Sequence, residues 1–192
     1  MELFPLFLSL CMGVALAAAC GFRVFVPLLA VSLAVRWGGL QVGDSLSWVG
    51  SDAAFLCLTV ATVAEIAAYY IPLVDHALDV VSTPLALLAG TFLMSGMMGE
   101  LPGYLQWGIA IVGGAGTAGL VKAGSASLRG ASTATTATLA NPLVATAENI
   151  FAIVGSVMAV VLPLLAALGC VLMAWLFWRL FRRFRRSSAP CE

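Results

Sequence analysis

A short polar stretch separates two long apolar segments of this chain and holds groups that could bind an ion. Residues 71–84 read IPLVDHALDVVSTP and contain two aspartates and the only histidine of the sequence. Asp75 and Asp79 are four residues apart and so share one face of a helix that begins at Pro72, whereas His76 points about 100° away from Asp75. Two carboxylates on one face could bind a cation or relay protons, because hard cations prefer oxygen ligands. The same face could equally lie at a membrane surface with its acids in water.

Two further positions favour the binding of an anion. Arg23 follows Gly21 where the first apolar run ends, and its guanidinium could hold an anion or pair with a carboxylate. Asn141 precedes Pro142, a typical helix start, and the free N–H groups of a buried helix start bind anions. Alternatively, residues 132–142 form a Ser/Thr-rich loop in solvent. The candidate residues for binding a solute or ion are Arg23, Glu65, Asp75, His76, Asp79, Lys122, Arg129, Asn141 and Glu148.

Neither a metal site, a cofactor nor an enzymatic activity is predicted. One histidine beside two aspartates is a weak metal-site pattern, and the five cysteines lack the CxxC spacing of metal sites. The sequence also lacks a Walker loop, an HExxH motif, a dinucleotide-binding motif and a nucleophile elbow. An enzyme acting on a lipid head group is therefore only a third hypothesis, behind the two given below.

The composition places these residues in a membrane. Hydrophobic residues make up 62% of the 192 residues, and the mean hydropathy is +1.07. Charged residues are 9% of the chain, against a usual value of about 25%. The apolar runs are continuous rather than alternating, which excludes a transmembrane β-barrel. We therefore predict an all-α membrane protein, in which an ionisable residue at mid-bilayer costs at least about 2.5 kcal/mol unless it has a partner or a water-filled cavity.

The apolar runs predict a compact bundle of about five spanning helices, because a span needs about 20 apolar residues. Two short re-entrant or broken helices follow the first span and precede the last, with the second break near Gly155–Ser156. This mirrored order suggests an inverted repeat of the kind found in transporters. Residues 72–83 form a separate helix of about ten residues between Pro72 and Pro84, too short to span. Seven crossings are the alternative. The predicted spans are 3–20, 53–71, 84–99, 105–121 and 156–178, the short helices are 24–35 and 142–155, residues 37–52 are a solvent-facing loop, and residues 122–139 are polar and non-periodic.

Basic residues are concentrated at the C-terminus. We predict one transmembrane domain over residues 1–178 and a basic cytoplasmic tail over residues 179–192, because Lys and Arg mark the cytoplasmic side. No Lys or Arg precedes Arg23, so the N-terminus is expected outside a bacterial inner membrane and the C-terminus inside. The tail is expected to contact anionic lipid head groups, whereas nucleic acid is not an expected partner. Its arginines are Arg179, Arg182, Arg183, Arg185 and Arg186.

Small residues recur every four positions in the fourth span. One row is Ala110, Gly114 and Ala118, and the other is Ala115, Gly119 and Ala123. In lipid, such rows let helix backbones approach closely. The Gly114/Gly119 face is therefore predicted to pack against a helix, either of the same chain or of a second copy in a homo-oligomer.

Three segments of the chain resemble, in their order, the motifs of a known bacterial membrane family. They read GFRVFVPLL, IPLVDHALDVVSTPL and STATTATLANPLVATAEN, and the family is described as domain of unknown function 4126. The resemblance runs from about Gly13 to Leu165 and leaves out the basic tail. It implies a multispanning inner-membrane protein to which no activity is assigned.

The leading hypothesis is a small transporter or channel for a small charged solute or ion, with a polar cavity lined by carboxylates and arginine. It rests on the number of costly charges beside interrupted helices. The alternative is a non-transporting scaffold or a lipid-binding protein whose buried charges are structural salt bridges, such as Arg23–Glu148 or Lys122–Glu65. The acids favour a cation and the two candidate anion sites favour an anion, so both classes of solute stay open.

Overall fold

The structure, a computed structural model, describes residues 3–136, 141–172, 175 and 179, without the side chains of residues 72–77 and 134–136. The described part of the chain is built from helices and short connections and has no strand. The helices are α1 (Leu3–Phe22), α2 (Phe25–Trp37), a 3-10 helix (Asp44–Gly50), α3 (Asp52–Ala68), α4 (Pro72–Met97), α5 (Gly103–Ile109), a π-helical segment (Ala110–Ala115), α6 (Gly116–Thr136), α7 (Asn141–Val161) and α8 (Pro163–Leu172).

Four stretches of the described residues are long and apolar enough to cross a membrane, at Leu3–Phe22, Leu78–Met97, Gly103–Thr133 and Asn141–Val161. The 3-10 helix and α3 form a fifth span if they are taken together, with a bend of 77° between them. Two shorter apolar helices, α2 and α8, complete the set. The predicted all-α bundle of about five spans and two short helices is therefore confirmed.

The predicted ten-residue helix before Pro84 is wrong, because α4 runs without interruption for 26 residues and contains Pro84. Pro84 lacks the N–H that would bond to the Val80 carbonyl one turn earlier, and spanning helices tolerate a proline where neighbouring helices pack against it. The hydroxyls of Ser82 and Thr83 add hydrogen bonds to the turn before it, since they donate to the backbone carbonyl of Asp79 at 3.4 and 2.7 Å. The DHALD stretch is thus the first part of a spanning helix.

The prediction of a non-periodic segment at 122–139 is also wrong as far as Thr136, because α6 continues to that residue. Its alanines favour a helix, and Lys122, Ser125 and Arg129 lie on one buried stripe. Residues 137–140 lie outside the described residues. The same is true of the basic tail, apart from Arg179.

The break before the last helix lies at Leu162 rather than near Gly155–Ser156. Pro163 disfavours a helical conformation of the residue before it. By contrast, the Ser156 hydroxyl donates to the Ala152 carbonyl at 2.6 Å and is accommodated within α7. Helix α7 is therefore a helix of 21 residues, long enough to span, in place of the predicted short helix before the last span, and the predicted mirrored order is wrong in this respect.

Residues 37–52 are not simply a solvent-facing loop. The 3-10 helix in this segment buries Leu46 and Val49 completely. The Gly43 N–H donates to the Gly96 carbonyl near the end of α4 at 2.8 Å. Trp37 and Trp48 are exposed, as expected of interfacial aromatic residues.

Small residues bring the middle of the bundle into close contact. We use the term glycine contact for Gly13, Gly90 and Gly114, with the neighbouring Met94. A methyl group on Gly114 would overlap the Gly90 carbonyl oxygen, and one on Gly13 would overlap the Met94 sulfur. The Gly114 row therefore packs against α4 of the same chain, whereas the predicted homo-oligomer stays a prediction.

Contacts between the helices fix their relative directions. Gly13, midway along α1, lies against Met94 late in α4, and Gly21 lies against Val121 of α6. Helix α7 starts beside Arg23, whose side chain bonds to Ala145, and then runs back along α1. Gly155 of α7 lies beside Ala19 of α1, so α7 runs antiparallel to α1. Helix α8 leads on from the end of α7.

Candidate functional site

A cluster of charged and polar side chains fills the bundle where α1 and α3 end and α7 begins. Each helix presents these side chains on a buried stripe at helical spacing, as α6 does with Lys122, Ser125 and Arg129. The term charged cluster is used below for Arg23, Glu65, Tyr69, Asp79, Lys122, Ser125, Arg129, Glu148 and Asn149.

Glu148 of α7 joins two arginines. Its carboxylate accepts hydrogen bonds from Nε and Nη2 of Arg129, at 3.1 Å for Nε, and from the hydroxyl of Ser125. Arg23 Nη2 lies 3.4 Å from Glu148 Oε2, so the predicted Arg23–Glu148 pair is present. Charge-assisted hydrogen bonds of this kind are the strong ones in a protein interior.

Arg23 is completely buried where α1 ends. Its Nε donates to Asn149 Oδ1 at 2.5 Å, and its Nη2 donates to the Ala145 carbonyl at 3.2 Å. The guanidinium lies over the Tyr69 ring, 3.7 Å from its centroid. Arg23 Nη1 has no hydrogen-bond partner among the described residues.

Asp79 of α4 extends the network of ion pairs from the buried arginines towards the surface of the bundle. Its Oδ1 lies 3.0 Å from Lys122 Nζ, and its Oδ2 lies 3.5 Å from Arg129 Nη1. The side chain of Asp79 is 23% exposed, whereas those of Lys122 and Arg129 are 4% and 5% exposed. Asp79 is therefore the most exposed of the three described acids in the cluster.

Tyr69 holds the centre of the cluster, although sequence reasoning did not select it. Its ring lies 3.7 Å from the Arg23 guanidinium, 4.4 Å from that of Arg129 and 5.8 Å from Lys122 Nζ. All three distances lie within the range of cation–π attraction. Its hydroxyl lies 3.0 Å from Ser82 Oγ and 3.4 Å from Asp79 Oδ1.

Glu65 is buried near the end of α3, where it stabilises the start of α2. Its two oxygens accept the backbone N–H groups of Val24 and Phe25 at 2.8 and 3.1 Å. A carboxylate that takes the free N–H groups of a helix start acts as an N-cap supplied by another helix. The predicted Lys122–Glu65 pair is replaced by this cap, because Lys122 bonds to Asp79.

The charges of the described cluster balance. Arg23, Lys122 and Arg129 supply three positive charges, and Glu65, Asp79 and Glu148 supply three negative ones. Pairing of this kind is what makes buried charge tolerable in a low-dielectric interior. The structure thus brings together six of the nine candidate residues.

The other three candidates have different positions. Asn141 begins α7, as its predicted role at a helix start requires, and its Nδ2 lies 3.4 Å from Thr133 Oγ1 of α6. Asp75 and His76 belong to the first two turns of α4, but their side chains are not among those described. Their predicted roles in binding a cation stay predictions.

Ser125 and Asn149 are further members of the cluster that the sequence reasoning missed. A signal for Ser125 was available, since Lys122, Ser125 and Arg129 have the spacing i, i+3, i+7 of one helix face. Asn149 directly follows Glu148. It also lies four residues after Ala145, so Ala145 and Asn149 share one face of α7. Reading the segment of Ser125 as non-periodic hid the first of these signals.

The comparison with known families covers most of the chain. The family described as domain of unknown function 4126 matches residues 10–183. The chain belongs to this family. The match to domain 4126 includes the whole charged cluster and extends past Arg179 into the basic tail, further than the resemblance expected from the sequence motifs. No curated protein and no solved structure matches the chain.

Proposed function

We propose that this protein is a small membrane transporter or channel for a small charged solute or ion, with the charged cluster as its binding centre. The observation that carries the proposal is the exposure of Asp79. This residue connects the outside with a continuous series of alternating charges that leads through Arg129 and Glu148 to Arg23.

Exchange of partners within this series is the proposed mechanism. Lys122 has a flexible four-carbon side chain and a single point charge, so it can leave Asp79 more readily than a bidentate arginine can. A cation or a proton that reaches Asp79 takes the place of the Lys122 ammonium. An anion takes the place of a carboxylate at Arg23, whose Nη1 has no partner among the described residues.

The glycine contact closes the way from the cluster to the other end of the bundle. Backbones that touch at Gly90 and Gly114 leave no path for a solute between α4 and the π-helical segment. Transport in this proposal therefore includes a movement of α4 against that segment. Packed helices switch between discrete arrangements in this way.

We place the protein in an inner membrane with its basic tail on the cytoplasmic side, since Lys and Arg mark that side. The proposed orientation keeps the N-terminus outside, because no Lys or Arg precedes Arg23.

Flux through reconstituted vesicles tests the proposal. We expect purified protein in liposomes to pass a proton, a small cation or a small anion, and Asp79→Asn to reduce this flux at least tenfold. Asp52→Asn serves as the matched control, because Asp52 forms an ion pair with Arg36 outside the cluster. Flux indistinguishable from that of empty liposomes, or equal flux for the Asp79 variant and wild type, would contradict the proposal.

Two observations favour the second candidate, a non-transporting scaffold. The Arg23–Glu148 pair is present, and the charges of the cluster balance without any bound solute. In a scaffold, exchange of the two residues in Arg23→Glu/Glu148→Arg restores folded protein that each single variant loses. A double variant that folds while wild type passes no tested solute supports the scaffold over the transporter.

A further inference from the structure

Helices α3 and α4 diverge on the outside of the bundle and leave a cavity of about 280 Å³ between them. Ala61, Ala64 and Ala68 of α3 line one wall, and Val81 and Leu85 of α4 line the other. Small side chains on α3 create the room. Val81 is 56% exposed, so the cavity opens sideways, towards the surroundings of the bundle.

The buried lining residues of this cavity form its inner end, and they are Val24 and three residues that carry polar groups, namely Glu65, Tyr69 and Ser82. These polar groups are already paired. Both carboxylate oxygens of Glu65 accept backbone N–H groups, and the hydroxyls of Tyr69 and Ser82 lie within hydrogen-bond distance of each other. A polar ligand therefore gains little there, whereas an apolar one covers the alanine and leucine surfaces.

The position of the opening selects the class of apolar ligand. Helix α4 spans the membrane by length and composition, and α3 does so together with the 3-10 helix. Val63 on α3 and Val80 on α4, each next in sequence to a lining residue, are exposed as well. Since the opening lies between spanning helices, the molecules that reach it are membrane lipids. The volume lies near the lower end of the range of roughly 300–1,000 Å³ for small-molecule pockets, so it takes a single hydrocarbon chain.

We propose that this cavity is a lipid site that takes one acyl chain of a phospholipid, which enters between α3 and α4 and ends against Val24 and Tyr69. The site is independent of the proposed transport. It lies directly beside the charged cluster, since Tyr69 belongs to both.

Photo-crosslinking tests the site. The full-length protein is reconstituted in phosphatidylcholine bilayers that contain a small fraction of phosphatidylcholine with a diazirine in one acyl chain, and the crosslinked residues are mapped by mass spectrometry. We expect crosslinks concentrated on residues 61–69 and 78–85. An even distribution over all lipid-facing helices would overturn the proposal.

A variant whose cavity is filled by a larger side chain is compared with a matched control variant. Ala64→Phe places a large side chain in the cavity, whereas Ala67→Phe places the same side chain on the same helix outside the lining residues. We expect Ala64→Phe to lower the crosslink yield in residues 61–69 and 78–85 at least fivefold, and Ala67→Phe to leave it unchanged. Equal yields in the two variants contradict the proposal. If Ala64→Phe does not fold, the wild-type crosslink map decides alone.

Discussion

Helix α4 contacts its neighbours with two kinds of chemistry. Near its start, Asp79 forms ion pairs with Lys122 and Arg129 of α6. About three turns later, Gly90 lies directly against Gly114 of the π-helical segment, so that the two backbones touch. The first contact depends on charge and tolerates partial exposure, whereas the second depends on shape and allows no added atom.

The difference shows how each of the two regions can change. Ion pairs exchange partners at modest expense if each charge finds another partner. Close backbone packing gives attraction only while the surfaces fit, because no hydrophobic force holds helices together in lipid. In the proposed mechanism the charged cluster therefore adapts by exchange of partners, whereas the glycine contact changes only when α4 moves as a whole against the π-helical segment.

The largest effect is expected from a side chain within the glycine contact. Gly114→Leu places atoms where the Gly90 carbonyl oxygen lies, and overpacking against backbone costs about 3 kcal/mol or more. We expect little or no monodisperse protein after detergent extraction, measured by size-exclusion chromatography. Gly116→Leu is the control two residues later, since nothing lies within 4 Å of a methyl group at Gly116. Equal recovery of the two variants would mean that the helices separate easily at this point.

The next largest effect is expected from neutralising the acid that joins the two arginines. Glu148→Gln leaves Arg23 and Arg129 buried without this counter-charge, and breaking a buried pair costs about 3–5 kcal/mol. We expect a clearly lower midpoint of thermal unfolding in detergent, with some folded protein still recovered. Glu100→Gln is the control, because Glu100 is exposed between α4 and α5. If the thermal midpoint shifts no more than in the control, other groups compensate the charges of Arg23 and Arg129.

A smaller effect is expected at Glu65, which caps α2 rather than pairing with a base. Glu65→Gln keeps one acceptor oxygen for the N–H groups of Val24 and Phe25, so we expect a loss of about 1 kcal/mol, as for other N-caps. Glu65→Leu removes both acceptors and should lower the thermal midpoint further. If the leucine variant is as stable as the glutamine variant, the cap contributes nothing to stability.

Much of this cluster could be predicted from the cost of charge in a membrane. That criterion selected Arg23, Glu65, Asp79 and Glu148 from four separate segments, and the structure brings them together. The pairing of Arg23 with Glu148 was also predicted. Composition and the length of the apolar runs were sufficient for the all-α bundle.

Other features of the structure leave no comparable signal in the sequence. Tyr69 is uncharged and lies at the end of a span, where tyrosine is common for interfacial reasons alone, so its central position depends on three-dimensional packing. Pro84 is the usual sign of a helix end, but the bundle around α4 supports it within a helix. Residues 122–136 lack an apolar stripe because their buried face is charged, which a search for hydrophobic periodicity cannot detect.

The smallest effect is expected from an ion pair outside both regions. Arg36 Nη2 lies 2.5 Å from Asp52 Oδ1, but the Asp52 side chain is 94% exposed, and exposed pairs contribute close to nothing because water and salt screen them. We therefore expect Asp52→Asn to leave the thermal midpoint in detergent unchanged, in spite of the short distance. The neighbouring Ser51→Ala removes a cap that accepts the Ala54 N–H at 3.2 Å, and we expect it to lower the midpoint by more. If Asp52→Asn lowered the midpoint more than Ser51→Ala, a solvent-exposed ion pair would also stabilise this protein. Burial would then not distinguish the ion pairs of the charged cluster from exposed ones.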